Sequence, residues 1–499
     1  MGKGWENSGP LSRVLSGVSV TGYVNGLVTA AAVGPEFTVL VILGFVSHRP
    51  DSQNSGMGRP IGIDLFSGVG GLSLGFEQAG FDVMAAVEYD PIHAAAHAFN
   101  FPESAVLARS VVGLTGIEIR RVANIGDKRV DVVFGGPPCQ GFSLIGQRVL
   151  DDPRNSLVRE FVRIVRELDA NYFVFENVKG LTVGTHRKFL EELIEEFRSI
   201  GYNVRLPWRV LNAVSYGTPQ VRERLILMGA KKGLKLPDYP IATTARSGSD
   251  AALAGLELGP TCAAALGDLP DAESFKELND GDSVPTENFG KLSAYAAEMR
   301  CTTSAAWHFG YRRKWNPALL TASGRSEHTE ISRRRFSATN AGDVEPISRF
   351  LKLAPSGVCN TLRAGSDAAR GAFTSPRPIH YRYPRCITVR EMARLHGFPD
   401  WFRFHVTKWH GARQVGNAVP PPLARAIARE VLQSTGAKPE RPKGVMPLGP
   451  IPLLHMDMSE ASRFFGIAVP IGNRDRKSGS RKRKQADIEA QQQKDLKYA

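Results

Sequence analysis

The chain is poor in cysteine and has no long apolar run. Its five cysteines are scattered over 499 residues, are odd in number and include no CxxC pair. This pattern argues against a disulfide framework and a structural zinc site, and it is typical of a reducing compartment. Two apolar stretches near the N-terminus are either rich in Ser, Thr and Gly or only ten residues long, so neither predicts a membrane span. We predict a cytoplasmic protein with no membrane attachment and no metal.

Acidic residues are outnumbered by basic ones. There are 49 Asp and Glu against 63 Lys and Arg, giving a formal net charge of +14. The C-terminal stretch "RDRKSGSRKRK" accounts for +6 of this charge and leaves +8 for the remainder. Such an excess favours a polyanionic partner, nucleic acid first.

The length predicts two or more domains. Short apolar runs alternate with helical patterns in residues 57–231, which indicates a Rossmann-like α/β domain with a mostly parallel sheet. A loop-rich stretch follows at 232–384, and an ordered segment at 385–434 returns to the first domain. We interpret residues 1–56 as a disordered extension or an over-long gene start, and 435–499 as a basic tail that is disordered at its end.

The loop-rich region contains a segment in which arginines and aromatics alternate. It reads "WHFGYRRKWNPALLTASGRSEHTEISRRRFSATN". A solvated charged face is the ordinary explanation of such a run. Because aromatics accompany the arginines in a basic protein, we favour contact with nucleic acid.

Four loops are predicted to meet at the carboxyl edge of the sheet, where ligands bind in this architecture. One is "FSGVGG", in which Gly68, Gly70 and Gly71 permit a sharp turn and a close approach to a ligand. Glu88 ends the next strand, the usual place for a carboxylate that binds ribose hydroxyls. This pair alone would also suit a nicotinamide dehydrogenase, although the turn is not GxGxxG.

Cys139 lies in the third loop, "GGPPCQGFS". A buried inert thiol is the ordinary role for such a residue. However, Pro137 and Pro138 fix the backbone before it, and Glu176 in the fourth loop, "ENVKG", ends another strand. No histidine is near in sequence, so a Cys/His protease arrangement is unsupported. A nucleophile beside an acid suits attack on an electron-poor ring that must be protonated.

Five motifs occur in order: "DLFSGVGGLSLGFEQAG", "GGPPCQGFS", "ENVKG", "YGTPQVRERLILMG" and "QVGNAVPPPLA". Together they resemble the motifs of the cytosine-carbon-5 methyltransferases that use S-adenosylmethionine. The resemblance covers residues 61–231 and roughly 350–430. The region between matches the position of that family's target-recognition domain. The resemblance implies a specific duplex DNA sequence as substrate.

The resemblance also assigns roles to residues. Cys139 would attack carbon 6 of a flipped-out cytosine, and Glu176 would bind its amine and ring nitrogen 3. Arg224 would hold the carbonyl oxygen of the base, and Arg222 would support the site. The segment "SLIGQRVLDDPRNS" after Cys139 would be a mobile loop that closes over the base.

For the cofactor, the resemblance implies a set of residues from several loops. Ser110 and Val111 occupy the place of the family's usual Asp-Ile pair at the adenine, and the serine would bind the adenine amine more weakly. The complete implied set is Phe66, Gly68, Gly70, Gly71, Glu88, Ser110, Val111, Pro138 and Asn417.

Two alternatives remain open at this point. A methyltransferase of the same fold that acts on a tRNA cytosine would share these motifs, although the basic insert favours duplex DNA. A DNA-binding relative without activity is the other, and the intact Cys139, Glu176 and Arg224 argue against it. The main prediction is a monomeric DNA methyltransferase, acting beside a restriction endonuclease that recognises the same site.

Overall fold

The computed structural model of the chain describes residues 58–138, 155–182, 186–366 and 376–469, together with three strands near the N-terminus. These strands, β1 (Val18–Val24), β2 (Leu27–Val33) and β3 (Thr38–Leu43), form an antiparallel sheet. The sequence analysis did not predict them. The gene start and the domain boundaries stay predictions.

An eight-stranded sheet forms the centre of residues 61–231. Its order is β10-β11-β8-β7-β4-β5-β6, with β9 also paired to β11. The five strands from β8 to β6 are parallel, and β9, β10 and β11 add antiparallel pairs. This confirms the Rossmann-like, mostly parallel sheet. The strands are β4 (Ile61–Leu65), β5 (Asp82–Glu88), β6 (Ala105–Ala108), β7 (Val132–Gly135), β8 (Tyr172–Val178), β9 (Tyr202–Val204), β10 (Arg209–Asn212) and β11 (Glu223–Lys231).

Both faces of this sheet are buried, which explains its continuous apolar runs. Along β8, Phe173 and Phe175 pack into one core and Tyr172 and Val174 into the other. Helices α3 (Gly116–Val122), α4 (Ser156–Glu167) and α5 (His186–Ser199) cover the first face. Helices α1 (Gly71–Ala79) and α12 (Pro421–Thr435) cover the second. A Cβ on Gly75 would lie 2.3 Å from the Cβ of Ala424, so glycine lets these two helices touch.

The remaining elements build a third core. It joins residues of helix α2 (Pro91–Asn100), such as Phe99, to the loop-rich region and to Leu453 and Leu454. None of the helices in the described residues is both long and apolar enough to cross a membrane. The other elements are α6 (Asp250–Leu253), α7 (Cys262–Leu266), β12 (Val284–Pro285), α8 (Ala294–Met299), β13 (Arg312–Lys314), β14 (Leu319–Leu320), α9 (Glu330–Ala338), α10 (Val389–His396), α11 (Lys408–Asn417), β15 (Val445–Pro447) and α13 (Met458–Phe464).

The first part of the predicted tail is folded. Strand β15 pairs in parallel with β13, so the tail adds to the loop-rich region. The backbone NH of Gly449 donates to the carbonyl of Phe99 at 2.8 Å, which ties the tail to α2. The predicted disordered end of the tail, from residue 470, lies outside the described residues.

Three arginines of the aromatic-rich segment form ion pairs with carboxylates of the same chain. Arg333 makes a bidentate pair with Glu273 at 2.8 and 2.6 Å, and Arg335 pairs with Glu345 at 3.3 Å. Arg313 is fully buried. These three side chains therefore stabilise the fold, a role that differs from the nucleic-acid contact favoured by the sequence. The spacing of these arginines along the chain does not reveal which distant carboxylates they bind.

Arg313 links the loop-rich region to the part of the chain that forms the central sheet. Its Nη2 lies 2.6 Å from Glu77 Oε2 on α1 and 2.7 Å from Glu103 Oε1, and none of the three side chains is more than 5% exposed. Its Nε also donates to the carbonyl of Asn100. One buried cation is thus shared by two buried carboxylates.

Replacing Arg313 by alanine is expected to lower the free energy of unfolding by about 3–5 kcal/mol, because two buried carboxylates lose their partner. The shift in the midpoint of urea unfolding measures this loss. Arg312→Ala is the matched control, since Arg312 is exposed in the same strand and should change stability by about 0.5 kcal/mol or less. Equal shifts in the two variants would contradict this role for Arg313.

Candidate active site

The turn between β4 and α1 is shaped by left-handed backbone. Phe66, Gly68 and Gly70 have φ angles of 61°, 54° and 103°. A Cβ on Gly70 would lie 2.4 Å from the ring of Phe101, whereas one on Gly68 would meet nothing within 4 Å. The turn is therefore packed on one side and open on the other, at the carboxyl end of β4.

Glu88 is bound to this turn. Its Oε2 accepts from the backbone NH of Gly68, and its Oε1 from that of Asp90, both at 2.8 Å. Burial raises the pKa of the Glu88 carboxyl, opposed chiefly by the charge of His93 and the hydrogen bond from Asp90. Each carboxylate oxygen retains a lone pair, so Glu88 can still accept from a ligand hydroxyl.

Ser110 and Val111 follow β6 at the same edge of the sheet. The half-buried Ser110 accepts from the backbone NH of Val112 through its Oγ at 3.1 Å. The Val111 side chain is buried in the core beneath, and its carbonyl accepts from Arg163. Of the predicted pair, Ser110 is thus the more accessible to a ligand.

The end of β7 is fitted closely to its neighbours. A Cβ on Gly135 would lie 2.0 Å from the carbonyl oxygen of Leu65, and one on Gly136 would lie 2.3 Å from Glu176 Oε2. The Asn177 side chain donates to the carbonyl of Pro137 at 3.0 Å. The glycines therefore bring the segment that precedes Cys139 against Glu176. Cys139 itself, and the predicted mobile loop as far as residue 154, lie outside the described residues.

Glu176 forms an ion pair with Arg224. Its Oε1 lies 2.7 Å from Arg224 Nε, and the two side chains are 12% and 13% exposed. Burial raises the pKa of the Glu176 carboxyl, and the charges of Arg224 and Arg222 partly oppose that rise. Because β11 runs antiparallel to β8, Arg224 reaches the carboxyl end of β8. A raised pKa keeps this acid group able to carry a proton.

Arg222 is buried behind this pair. Its Nη1 donates to the carbonyl of Leu362 at 3.0 Å, and its Nη2 donates to that of Gly416 at 2.7 Å. Desolvation lowers the pKa of the guanidinium, helped by the charge of Arg224. Arg222 is placed to hold backbone, whereas Arg224 borders the edge of the sheet.

Asn417 is exposed and ends helix α11. The helix continues through "QVGN" and stops shortly before the prolines. The next residues reach the glycine turn, because a Cβ on Gly71 would lie 2.3 Å from the carbonyl oxygen of Val419. Residues separated by more than 300 positions thus meet at one edge of the sheet.

Sequence reasoning missed Asp64, which lies within the apolar strand β4. It is fully buried, accepts from Ser73 Oγ at 2.6 Å and has its pKa raised to about 8 by burial. The sequence signal that could have revealed Asp64 is an acidic residue inside an otherwise apolar strand.

The glycine turn and the strand before it carry buried polar atoms that a ligand could satisfy. Within the residues described, Asp64 Oδ1 and Ser67 Oγ are buried without a hydrogen-bond partner, and the space beside Gly68 is open. Together with the Glu88 carboxylate, these acceptors fit a ligand rich in hydroxyl and amino groups, as S-adenosylmethionine is. The described residues include no cluster of three or more His, Cys, Asp or Glu placed to hold a metal ion.

A family model for C-5 cytosine-specific DNA methylases matches residues 62–433. The chain belongs to this family. The methylase is 58% identical over 415 residues to Type II methyltransferase M.XorII of Xanthomonas oryzae pv. oryzae, covering 83% of this chain and 94% of that one. It is 34% identical to Type II methyltransferase M1.HphI of Haemophilus parahaemolyticus, covering 74% and 86%.

A solved structure supports the same conclusion. The crystal structure of a DNA modification methyltransferase encoded within a prophage of E. coli aligns with a TM-score of 0.61 at 33% identity, covering 76% of this chain and all of that one. The protein is therefore an enzyme that methylates carbon 5 of cytosine in DNA and depends on S-adenosylmethionine. These matches do not favour the tRNA-specific or the inactive alternative.

Proposed function

We propose that this methylase modifies a flipped-out cytosine within a specific duplex DNA sequence, through a covalent bond between Cys139 and carbon 6 of the base. The observation that carries the proposal is the buried Glu176–Arg224 pair, which lies directly against Gly136. Cys139 follows three residues later in the chain. A nucleophile and an acid are then within reach of one ring, outside the stacked duplex.

Cys139 acts as a thiolate. Its sulfur forms a bond to carbon 6, and the electron pair of the carbon 5–carbon 6 double bond moves into the ring toward nitrogen 3. Glu176, as the acid, donates a proton to nitrogen 3 and accepts from the exocyclic amine. Arg224 donates to the carbonyl oxygen of the base, where negative charge also develops. Arg222 supports the site through the backbone of Leu362 and Gly416.

When bound, S-adenosylmethionine supplies an electrophilic methyl group for carbon 5. The glycine turn and Glu88 would hold its polar groups, with Ser110 at the adenine. Once carbon 5 carries the methyl group, its proton passes to water, the double bond re-forms and Cys139 leaves as a thiolate. The proton on nitrogen 3 returns to Glu176, which restores the acid and the neutral base. The proposed cofactor residues are Phe66, Gly68, Gly70, Gly71, Glu88, Ser110, Val111, Pro138 and Asn417.

The relatives named as Type II methyltransferases support a restriction-modification setting. We propose that this enzyme acts in the cytoplasm as a monomer and protects DNA from an endonuclease that recognises the same sequence.

The decisive experiment supplies purified protein with labelled S-adenosylmethionine and either duplex DNA or total tRNA. Label in DNA at carbon 5 of one sequence supports the proposal, and sequencing of the methylated cytosines gives the site. Label in tRNA alone would replace it with the tRNA alternative. Cofactor binding without label in either would indicate an inactive relative.

Exchange of Ser110 for aspartate is expected to tighten the binding of S-adenosylmethionine about fivefold, since a charged acceptor makes a stronger hydrogen bond to the adenine amine than a hydroxyl does. The aspartate can still accept from the NH of Val112. Calorimetric titration with the cofactor measures the change. Ser110→Ala is the control and should bind more weakly than the wild type. An aspartate variant that binds no more tightly would remove Ser110 from the cofactor site.

A further inference from the structure

His396 is a fully buried histidine whose two ring nitrogens both have partners. Its Nε2 lies 3.0 Å from the carbonyl oxygen of Ala418, and its Nδ1 lies 3.0 Å from the side-chain nitrogen of Gln220. A carbonyl can only accept, so Nε2 carries the proton and Nδ1 accepts from Gln220. His396 therefore connects two segments that are about 200 residues apart.

Both ends of the Gln220 side-chain amide form hydrogen bonds, as both nitrogens of the His396 ring do. Its amide oxygen accepts from the backbone NH of Leu362 at 3.1 Å, and its amide nitrogen also donates to the carbonyl of Leu395. Leu362 is the residue whose carbonyl accepts from Arg222. Gln220 and Arg222 thus lie just before the start of β11, the strand that carries Arg224.

The other end of the connection is the segment Gly416–Val419. Arg222 binds the carbonyl of Gly416, His396 binds that of Ala418, and the carbonyl of Val419 lies against Gly71 in the cofactor turn. A Cβ on Gly416 would lie 2.5 Å from the backbone nitrogen of Ala364, so the backbone of Gly416 packs directly against that of Ala364. Arg222, next to the proposed base site, holds this segment at Gly416, and Val419 at its other end contacts the glycine turn.

We propose that His396 is a positioning residue that sets the segment Gly416–Val419 against the glycine turn and thereby determines the affinity for S-adenosylmethionine. The inference rests on the proposed function, which makes that turn the cofactor site. Burial holds the pKa of the imidazole well below its usual range, aided by the charges of Arg222 and Arg224. Because a second ring proton would face the donor nitrogen of Gln220, the connection requires the neutral ring.

Two amide variants separate positioning from packing. In His396→Gln the longer side chain retains a donor near the place of Nε2 and can reach Ala418, whereas in His396→Asn the shorter amide reaches toward Gln220 and leaves the Ala418 carbonyl unbound. We expect the asparagine variant to raise the Kd for S-adenosylmethionine about tenfold and the glutamine variant to stay within about twofold of the wild type. Titration calorimetry measures both, with thermal unfolding as the control for folding.

Equal Kd values in two folded amide variants would overturn the proposal. If the asparagine variant fails to fold, Gln220→Met provides the test. Loss of the hydrogen bond from Gln220 to His396 Nδ1 should raise the Kd for S-adenosylmethionine about threefold. An unchanged Kd in that variant would overturn the proposal. Wild-type protein that binds the cofactor but labels no DNA would refute the proposed function. The Kd values of the two amide variants could still be compared. Labelled DNA with equal Kd values would refute the role of His396 alone.

Discussion

Alanine in place of Cys139 is expected to lower the single-turnover rate of DNA methylation by roughly 10⁴- to 10⁶-fold, the range seen when an enzyme loses its nucleophile. Without the thiolate, carbon 6 gains no substituent and carbon 5 never becomes electron-rich enough to take a methyl group. Affinities for DNA and for S-adenosylmethionine should change by about threefold or less. Labelled methyl groups in quenched samples measure the rate, and a filter or gel assay measures DNA binding.

The other cysteines supply a matched control. Burial raises the pKa of the Cys386 thiol to about 11, so it stays protonated near neutral pH and Cys386→Ala should methylate at the wild-type rate. Duplex DNA with fluorine on carbon 5 of the target cytosine adds a direct assay. The fluorine cannot leave as a cation, so the bond from Cys139 to carbon 6 persists and a denaturing gel should show a DNA–protein band. A band of equal strength with Cys139→Ala would assign the bond to another residue.

Glu176→Gln is expected to reduce kcat by about 10²- to 10⁴-fold, the usual contribution of a positioned general acid. Glutamine fills the same space beside Gly136 and still donates from its amide, but it cannot transfer a proton to nitrogen 3. Steady-state kinetics with saturating DNA and cofactor measure the loss. Glu223→Gln is the control, because Glu223 is half-exposed and pairs with Lys179 at 3.0 Å.

The pH profile gives this prediction a second readout. Burial raises the pKa of Glu176, so its acid form persists to higher pH than in an ordinary glutamic acid and is lost as the pH rises through that raised value. The wild-type kcat should therefore fall on the alkaline side, and Glu176→Gln should lack that decline. A variant within tenfold of the wild type, or one that retains the decline, would mean that another group protonates the base.

Local patterns predicted the central sheet well. The apolar runs of residues 57–231 form the predicted mostly parallel sheet, and Glu88 ends a strand as expected. Since parallel strands share one carboxyl edge, the meeting of the glycine turn, Glu88 and the Glu176 loop also followed from sequence.

Contacts between distant segments could not be predicted in the same way. The ion pair of Glu176 with Arg224 depends on β11 entering antiparallel beside β8, which no local period encodes. The partners of Arg313 and Arg333 could not be predicted either, because the carboxylates that they bind are far away in sequence. The folded start of the tail was missed because three residues of β15 carry too little pattern.

The shared third core limits how this enzyme can acquire a new target sequence. Residues from α2, the loop-rich region and the tail fill one interior, and Arg313 is matched to carboxylates on the catalytic side. A loop-rich region transplanted from a relative would therefore arrive without its complementary surface. To remain soluble, such a chimera would need the donor's counterparts of Glu77, Glu103 and the Val445–Leu454 segment as well. The target-recognition role that the resemblance implies for the loop-rich region would then be inherited only together with a block of the scaffold.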